Sequence, residues 1–200
     1  MRRVRVHSLV AGALGAMMLI ASMNAFASTT KTEKLLGTFG SWRSYTYNEG
    51  GQTVCYMVTT KRLKSVGPLK RATPYLMITH RPIEASTDVI SYGAGTLLKS
   101  SRGVKLHVGK SIFDLFSVRD TSWARDALTD HKIATALRNS PLAEISATAD
   151  KKGEHRIVDK FDLTGGPAAY SAIGRACGLS AAPTKKSGPK PTANKKPKRS

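Results

Sequence analysis

Two cysteines, four scattered histidines beyond residue 27, a trio of aspartates and a dense run of cations are the residues whose chemistry could carry a function in this 200-residue sequence. Cys55 sits in "TVCYMVT" and Cys177 in "SAIGRAC". A nucleophilic cysteine needs a histidine beside it and a third group to orient that histidine. A zinc site would want cysteine and histidine in pairs at short spacing. His80, His107, His131 and His155 stand singly, so they are expected at the surface or at strand edges rather than as ligands. Asp120, Asp126 and Asp130 flank Trp123 and could hold a cation, but helix capping and a solvated face account better for them. No glycine-rich phosphate loop follows a strand, and no serine sits in a G-x-S-x-G elbow. The expectation is therefore no catalytic residue, no metal, no cofactor, and a chain that is not an enzyme.

The cations are the more pointed signal. Lys61, Arg62, Lys64, Lys70 and Arg71 fall within eleven residues without an acid. A second basic stretch near the C-terminus contains Lys185, Lys186, Lys195, Lys196, Lys198 and Arg199. The whole sequence carries a net charge of +19, and removing the +3 of residues 1–27 and the +7 of residues 178–200 leaves +9 on the body between them. An excess that survives removal of the tail points to polyanionic partners. These cations are the candidate anion-binding residues. A single-strand nucleic-acid reader would interleave aromatics with the cations on one face. Here the aromatics fall in strand-like segments instead, which argues against specific nucleic-acid binding.

The compartment follows from the N-terminus. Arg2, Arg3 and Arg5 precede an apolar run from Leu9 to Ile20, and Ala25-Phe26-Ala27 is an A-x-A cleavage site. That is a secretory signal, with cleavage expected after Ala27. The apolar run is too short for a membrane span, which takes about 20 residues, so no span is expected after cleavage. The destination is periplasmic or secreted. In such a compartment, two cysteines are most simply a disulfide, Cys55–Cys177. The chain-entropy model assigns about 4–5 kcal/mol to a loop of that length.

The elements that must position these groups are mostly two-fold in pattern. Residues 28–36 read as a polar lead-in. Strands are expected at 39–47, 53–59, 75–81, 87–95, 103–108, 111–118, 141–149 and 156–163, with "NEGG" (48–51) and "DKKGEH" (150–155) as turns. Residues 61–74 read as a basic loop. From residue 121 the spacing becomes helical, with Asp130 as a cap for 131–138. A second helix starts near Pro167 and stops at Gly178. The tail 180–200 is rich in lysine and proline and has almost no apolar residue, so it is expected to be disordered. This makes one domain over 37–179, a mainly β, antiparallel β-sandwich with one or two short helices.

Several stretches together resemble the invasion-associated locus B family. Gly37, Phe39 and Trp42 match its G-x-F-x-x-W opening, and "VCYM" resembles its first cysteine strand. Ile78, Thr79, Arg81 and Pro82 match its I-T-x-R-P strand. Trp123 before a short helix, then "DKFDLTGGPAAYSAIGRAC", is similar to its closing segment with a terminal cysteine. The resemblance spans roughly residues 37–177. It implies an exported bacterial protein with an immunoglobulin-like sandwich, a link to host-cell invasion, and no catalytic residues. The lysine-rich tail, the basic loop and "GGP" after Thr164 depart from the family pattern. The expected function is a non-enzymatic envelope protein that binds anionic envelope or host-surface components. The rivals are a structural accessory factor with a protein partner, or an enzyme whose site is assembled from distant residues.

Overall fold

The computed structural model of the chain describes residues 32–66, 70–153 and 155–179. The expected signal sequence and the expected tail, with its six candidate cations Lys185, Lys186, Lys195, Lys196, Lys198 and Arg199, lie outside the described residues.

Eleven strands form among the described residues: β1 (Lys34–Phe39), β2 (Trp42–Glu49), β3 (Gln52–Thr59), β4 (Arg62–Val66), β5 (Tyr75–Arg81), β6 (Ser86–Gly93), β7 (Val104–Val108), β8 (Ser111–Val118), β9 (Thr121–Trp123), β10 (Leu142–Thr148) and β11 (Arg156–Asp162). Two helices join them, α1 (Ala127–Asn139) and α2 (Gly166–Ala176). Every pairing is antiparallel, in the order β1-β2-β3-β5-β6-β9-β8-β7-β10-β11-β4. One strand belongs to both leaves of the sandwich. Residues 111–115 of β8 pair with β7, whereas Phe116–Val118 pair with β9.

The core lies between the leaves. Tyr92 of β6 meets Phe161 of β11 edge to face, with ring centroids 6.3 Å apart. Alternation puts Cys55, Met57 and Thr59 of β3 and Leu76, Ile78 and His80 of β5 inside, as the period of two requires. Helix α2 covers β1, β2 and β3, and α1 covers β6. Two buried polar groups of β2 bond to the α2 end of the chain: Trp42 Nε1 donates to the Leu163 carbonyl at 3.1 Å, and Ser44 Oγ donates to that of Ala169 at 3.1 Å. The disulfide Cys55–Cys177 forms, with 6.0 Å between the Cα atoms, and joins the middle of β3 to the end of α2.

Four expectations change. The segment 39–47 is not one strand: Gly40, with φ +58°, turns β1 into β2, and the lead-in's Lys34, Leu35 and Leu36 already belong to β1. A side chain at Gly40 would lie 2.3 Å from the Thr164 carbonyl oxygen, so this turn fits closely against the start of α2. The basic loop contains a strand, β4. Residues 121–123 form β9 rather than the start of a helix, and the cap of α1 is Asp126, whose carboxylate accepts from Thr129 N at 2.8 Å. Asp130 turns inward instead and accepts from Ile90 N at 2.8 Å. The α2 boundaries, with proline in the first turn and Gly178 at φ +68° after the last, match the sequence reading.

Candidate functional site

The candidate site is an open seam along β4. This strand hydrogen-bonds to β11 on one side, with Val66 opposite Val158, Ser65 opposite Asp159 and Lys64 opposite Lys160. Leu63 is the extra residue of a bulge before Arg62 meets Phe161. No strand among the described residues pairs with its other side. Side chains on a strand alternate, but all five residues of β4 are exposed. The chain reaches this edge through Lys61, whose amide donates to Thr59 Oγ1 at 3.1 Å and whose carbonyl accepts from Asp162 N at 2.9 Å.

Across from β4 stand the β1–β2 turn and the start of β2. Together they bound a groove of about 870 Å³ whose walls include Thr38, Ser41, Arg43, Lys61, Arg62 and Lys64. The facing turns are held together by Ser41 N donating to the Thr164 carbonyl at 2.8 Å. Gly165, at φ +90°, allows that approach, because a side chain there would lie 2.1 Å from the Phe39 carbonyl oxygen. The groove's cations are Arg43, Lys61, Arg62 and Lys64, and its one carboxylate is Asp162. Hydrogen bonds from the Thr164 amide and hydroxyl and from the Ser41 hydroxyl, followed by the charge of Lys61, hold Asp162 below the usual carboxylate range. Asp162 therefore stays ionised, and the four cations against one carboxylate leave the groove with a net charge of +3. The ion pairs formed among the described residues do not include these four cations.

The structure divides the predicted cations. Lys61, Arg62 and Lys64 gather on the seam, and Lys70 is exposed but outside it. Arg71 is a correction. Its side chain is only 7% exposed, and it forms an ion pair with the fully buried Asp159. Its Nη1 donates to Asp159 Oδ2 at 2.8 Å and to the Ala94 carbonyl at 2.8 Å, and its Nη2 donates to Ser65 Oγ at 2.9 Å. Asp159 also accepts from the Tyr92 hydroxyl at 2.7 Å and from Ser65 Oγ at 2.9 Å. Burial opposes the charge on Arg71, but the hydrogen bond and charge of Asp159 outweigh it and raise the guanidinium above its ordinary pKa. Burial, then Asp159, pushes the Tyr92 hydroxyl up as well. A buried cation so committed is not available to an outside anion. It positions the site instead, because Ser65 belongs to β4 and is held from behind by this network.

His80 is a second correction, being buried rather than at an edge. Its Nδ1 accepts from Asp88 N at 3.1 Å, so the ring is held neutral with the proton on Nε2. Burial lowers its pKa, partly opposed by Asp88. Asp88 accepts from the Tyr170 hydroxyl at 2.6 Å and lies 2.8 Å from His131 Nδ1. This network joins β5, β6, α1 and α2 next to the disulfide. His131 is largely exposed, and His107 and His155 are partly so. Asp120, Asp126 and Asp130 do not converge, and no group of three or more metal-binding side chains occurs among the described residues. No helix among them is long and apolar enough to cross a membrane.

Sequence reasoning missed the far wall of the seam: Thr38, Ser41, Arg43 and Asp162. No two-fold pattern marks β4, whose five residues are all exposed and interrupted by a bulge. Nothing local could pair residues 38–43 with residues 61–65.

No protein-family model matches the sequence, and no curated protein matches it. Among solved structures, the chain is similar to the crystal structure of invasion associated protein b from Bartonella henselae, at 20% sequence identity and a TM-score of 0.49, over 72% of this chain and 95% of that one.

Proposed function

We propose that this chain is an exported, non-enzymatic β-sandwich protein whose β4 seam binds anionic components of the envelope or of a host surface. The observation that carries the reading is the seam's composition: Arg43, Lys61, Arg62 and Lys64 open to solvent around a single carboxylate, Asp162. Exposed cations grouped in a groove raise the local concentration of polyanions and bind them in a salt-dependent way. Export is supported by the N-terminal signal pattern and by the disulfide, since such bonds persist in oxidising compartments. A part in host-cell invasion is what the sequence resemblance implies. The fold by itself carries no role.

The test is retention on immobilised heparin and on lipopolysaccharide across a salt series. The intact chain is compared with a chain ending at residue 179 and with the quadruple variant R43Q/K61Q/R62Q/K64Q. The quadruple variant is expected to elute at clearly lower salt whether or not the tail is present. Equal elution of variant and intact chain on both supports sinks the proposal.

A further inference from the structure

We infer that β4 accepts an added β-strand from an acidic polypeptide, so that the seam's partner is an extended segment rich in aspartate and glutamate. The inference rests on the reading of the seam as the binding site and narrows its ligand to one class.

Three observations carry it. First, β4 is the last strand of the sheet, and among the described residues its outer backbone groups have no strand to pair with. Such an edge is a template for an incoming strand, whose main-chain hydrogen bonds supply affinity and whose side chains supply choice. Second, the strand is preorganised. Ser65 is tied to Asp159 and Arg71 behind it, and Lys61 is tied to Asp162 and Thr59 at its start. A strand that is already ordered loses little freedom when a partner docks. Third, β4 presents apolar and cationic side chains together: Leu63 is 59% exposed and Val66 45% exposed, beside Arg62 and Lys64.

Those cations and the bulge at Leu63 are also the means by which an edge avoids indiscriminate pairing. That decides the occupant. A second copy of the chain would set β4 against β4, cation against cation, and like charges directly opposite are destabilising. A neutral strand would leave the cations uncompensated. An acidic strand converts the guard into attraction, with Arg43, Ser41 and Thr38 lining the other wall. Asp162 at the base repels carboxylates, so the acidic side chains belong toward Arg62, Lys64 and Arg43.

The experiment titrates the purified chain with an end-blocked decapeptide of alternating glutamate and valine. Two controls are used: the same peptide with lysine for glutamate, and the glutamate peptide N-methylated at every second amide. Heparin is titrated in parallel, and amide exchange is followed at Arg62–Val66. The glutamate peptide is expected to bind and to slow exchange on β4. N-methylation is expected to weaken it about tenfold, the effect of losing one or two net hydrogen bonds. The lysine peptide should not bind. Equal affinity for the N-methylated peptide would overturn strand addition in favour of charge alone. Heparin binding without glutamate-peptide binding would overturn this inference and leave the seam reading standing. Loss of both would remove both.

Discussion

Arg62 and Arg71 lie in one basic run, and the fold gives them opposite roles. Arg62 and Lys64, on either side of the bulge in β4, are exposed to solvent. Arg71, a few residues on, turns inward and is enclosed by Asp159, Ala94 and Ser65. The difference is one of available partners. Asp159 is central in β11 and completely buried, where a carboxylate without a partner is costly; Arg71 is the cation that reaches it. Among the described residues no ion pair includes Arg62 or Lys64, and both stay in solvent. Local charge density is therefore a poor guide to binding capacity: a cation counts toward an outside ligand only when the interior has not already claimed it.

The sharpest way to break this contrast is to remove one side of the buried pair. Arg71→Met or Asp159→Asn should cost about 3–5 kcal/mol of unfolding free energy, because the remaining group is left buried and unmatched. Urea denaturation measures it, and a loss below about 1 kcal/mol would mean that Arg71 is as replaceable as a surface cation. Reduction of Cys55–Cys177, or the double change to serine, should cost about 2–5 kcal/mol in the same assay, with the tie between β3 and α2 lost.

His80 sharpens the comparison through pH. In the unfolded chain it titrates near 6.5. In the fold, burial and then Arg138, against a partial opposing effect of Asp88, lower its pKa. Between the two values the unfolded chain binds more protons, so stability is whole above about pH 6.5 and declines as pH falls below it. Thermal unfolding at pH 7 and pH 5.5 should show a smaller acid-side drop for His80→Gln than for the parent. Equal drops would place the sensitivity elsewhere. The smallest stability effect belongs to the seam: R43Q/K61Q/R62Q/K64Q should unfold within about 0.5 kcal/mol of the parent, while losing polyanion retention. A large destabilisation there would make these cations structural, like Arg71.

Much of the sandwich was legible because its strands alternate. β3, β5, β8, β10 and β11 follow the expected boundaries closely, whereas the turn expected over residues 48–51 is only the glycine pair 50–51, both at positive φ, because Asn48 and Glu49 already pair with β3. The disulfide was legible from arithmetic, two cysteines in a chain whose first residues read as an export signal. What escaped was set by distance or brevity. β9 has three residues, too few for a period. β4 was hidden by its cations, which read as a solvated loop. The Arg71–Asp159 and Ser41–Thr164 contacts join residues 88 and more than 120 positions apart, and no local pattern encodes them. The same holds for His80, whose burial depends on Asp88 and on Tyr170 of α2.

The strand β8 serves both leaves, with residues 111–115 in one and Phe116–Val118 in the other. A sandwich of two separate sheets can slide or part along its apolar midplane. Here such parting would have to break the backbone ladder at β8 itself, so the two leaves share one opening equilibrium. Amide protection at β2 and at β11, on opposite leaves, is therefore expected to fall together when the ladder at β8 is weakened, which hydrogen exchange would measure.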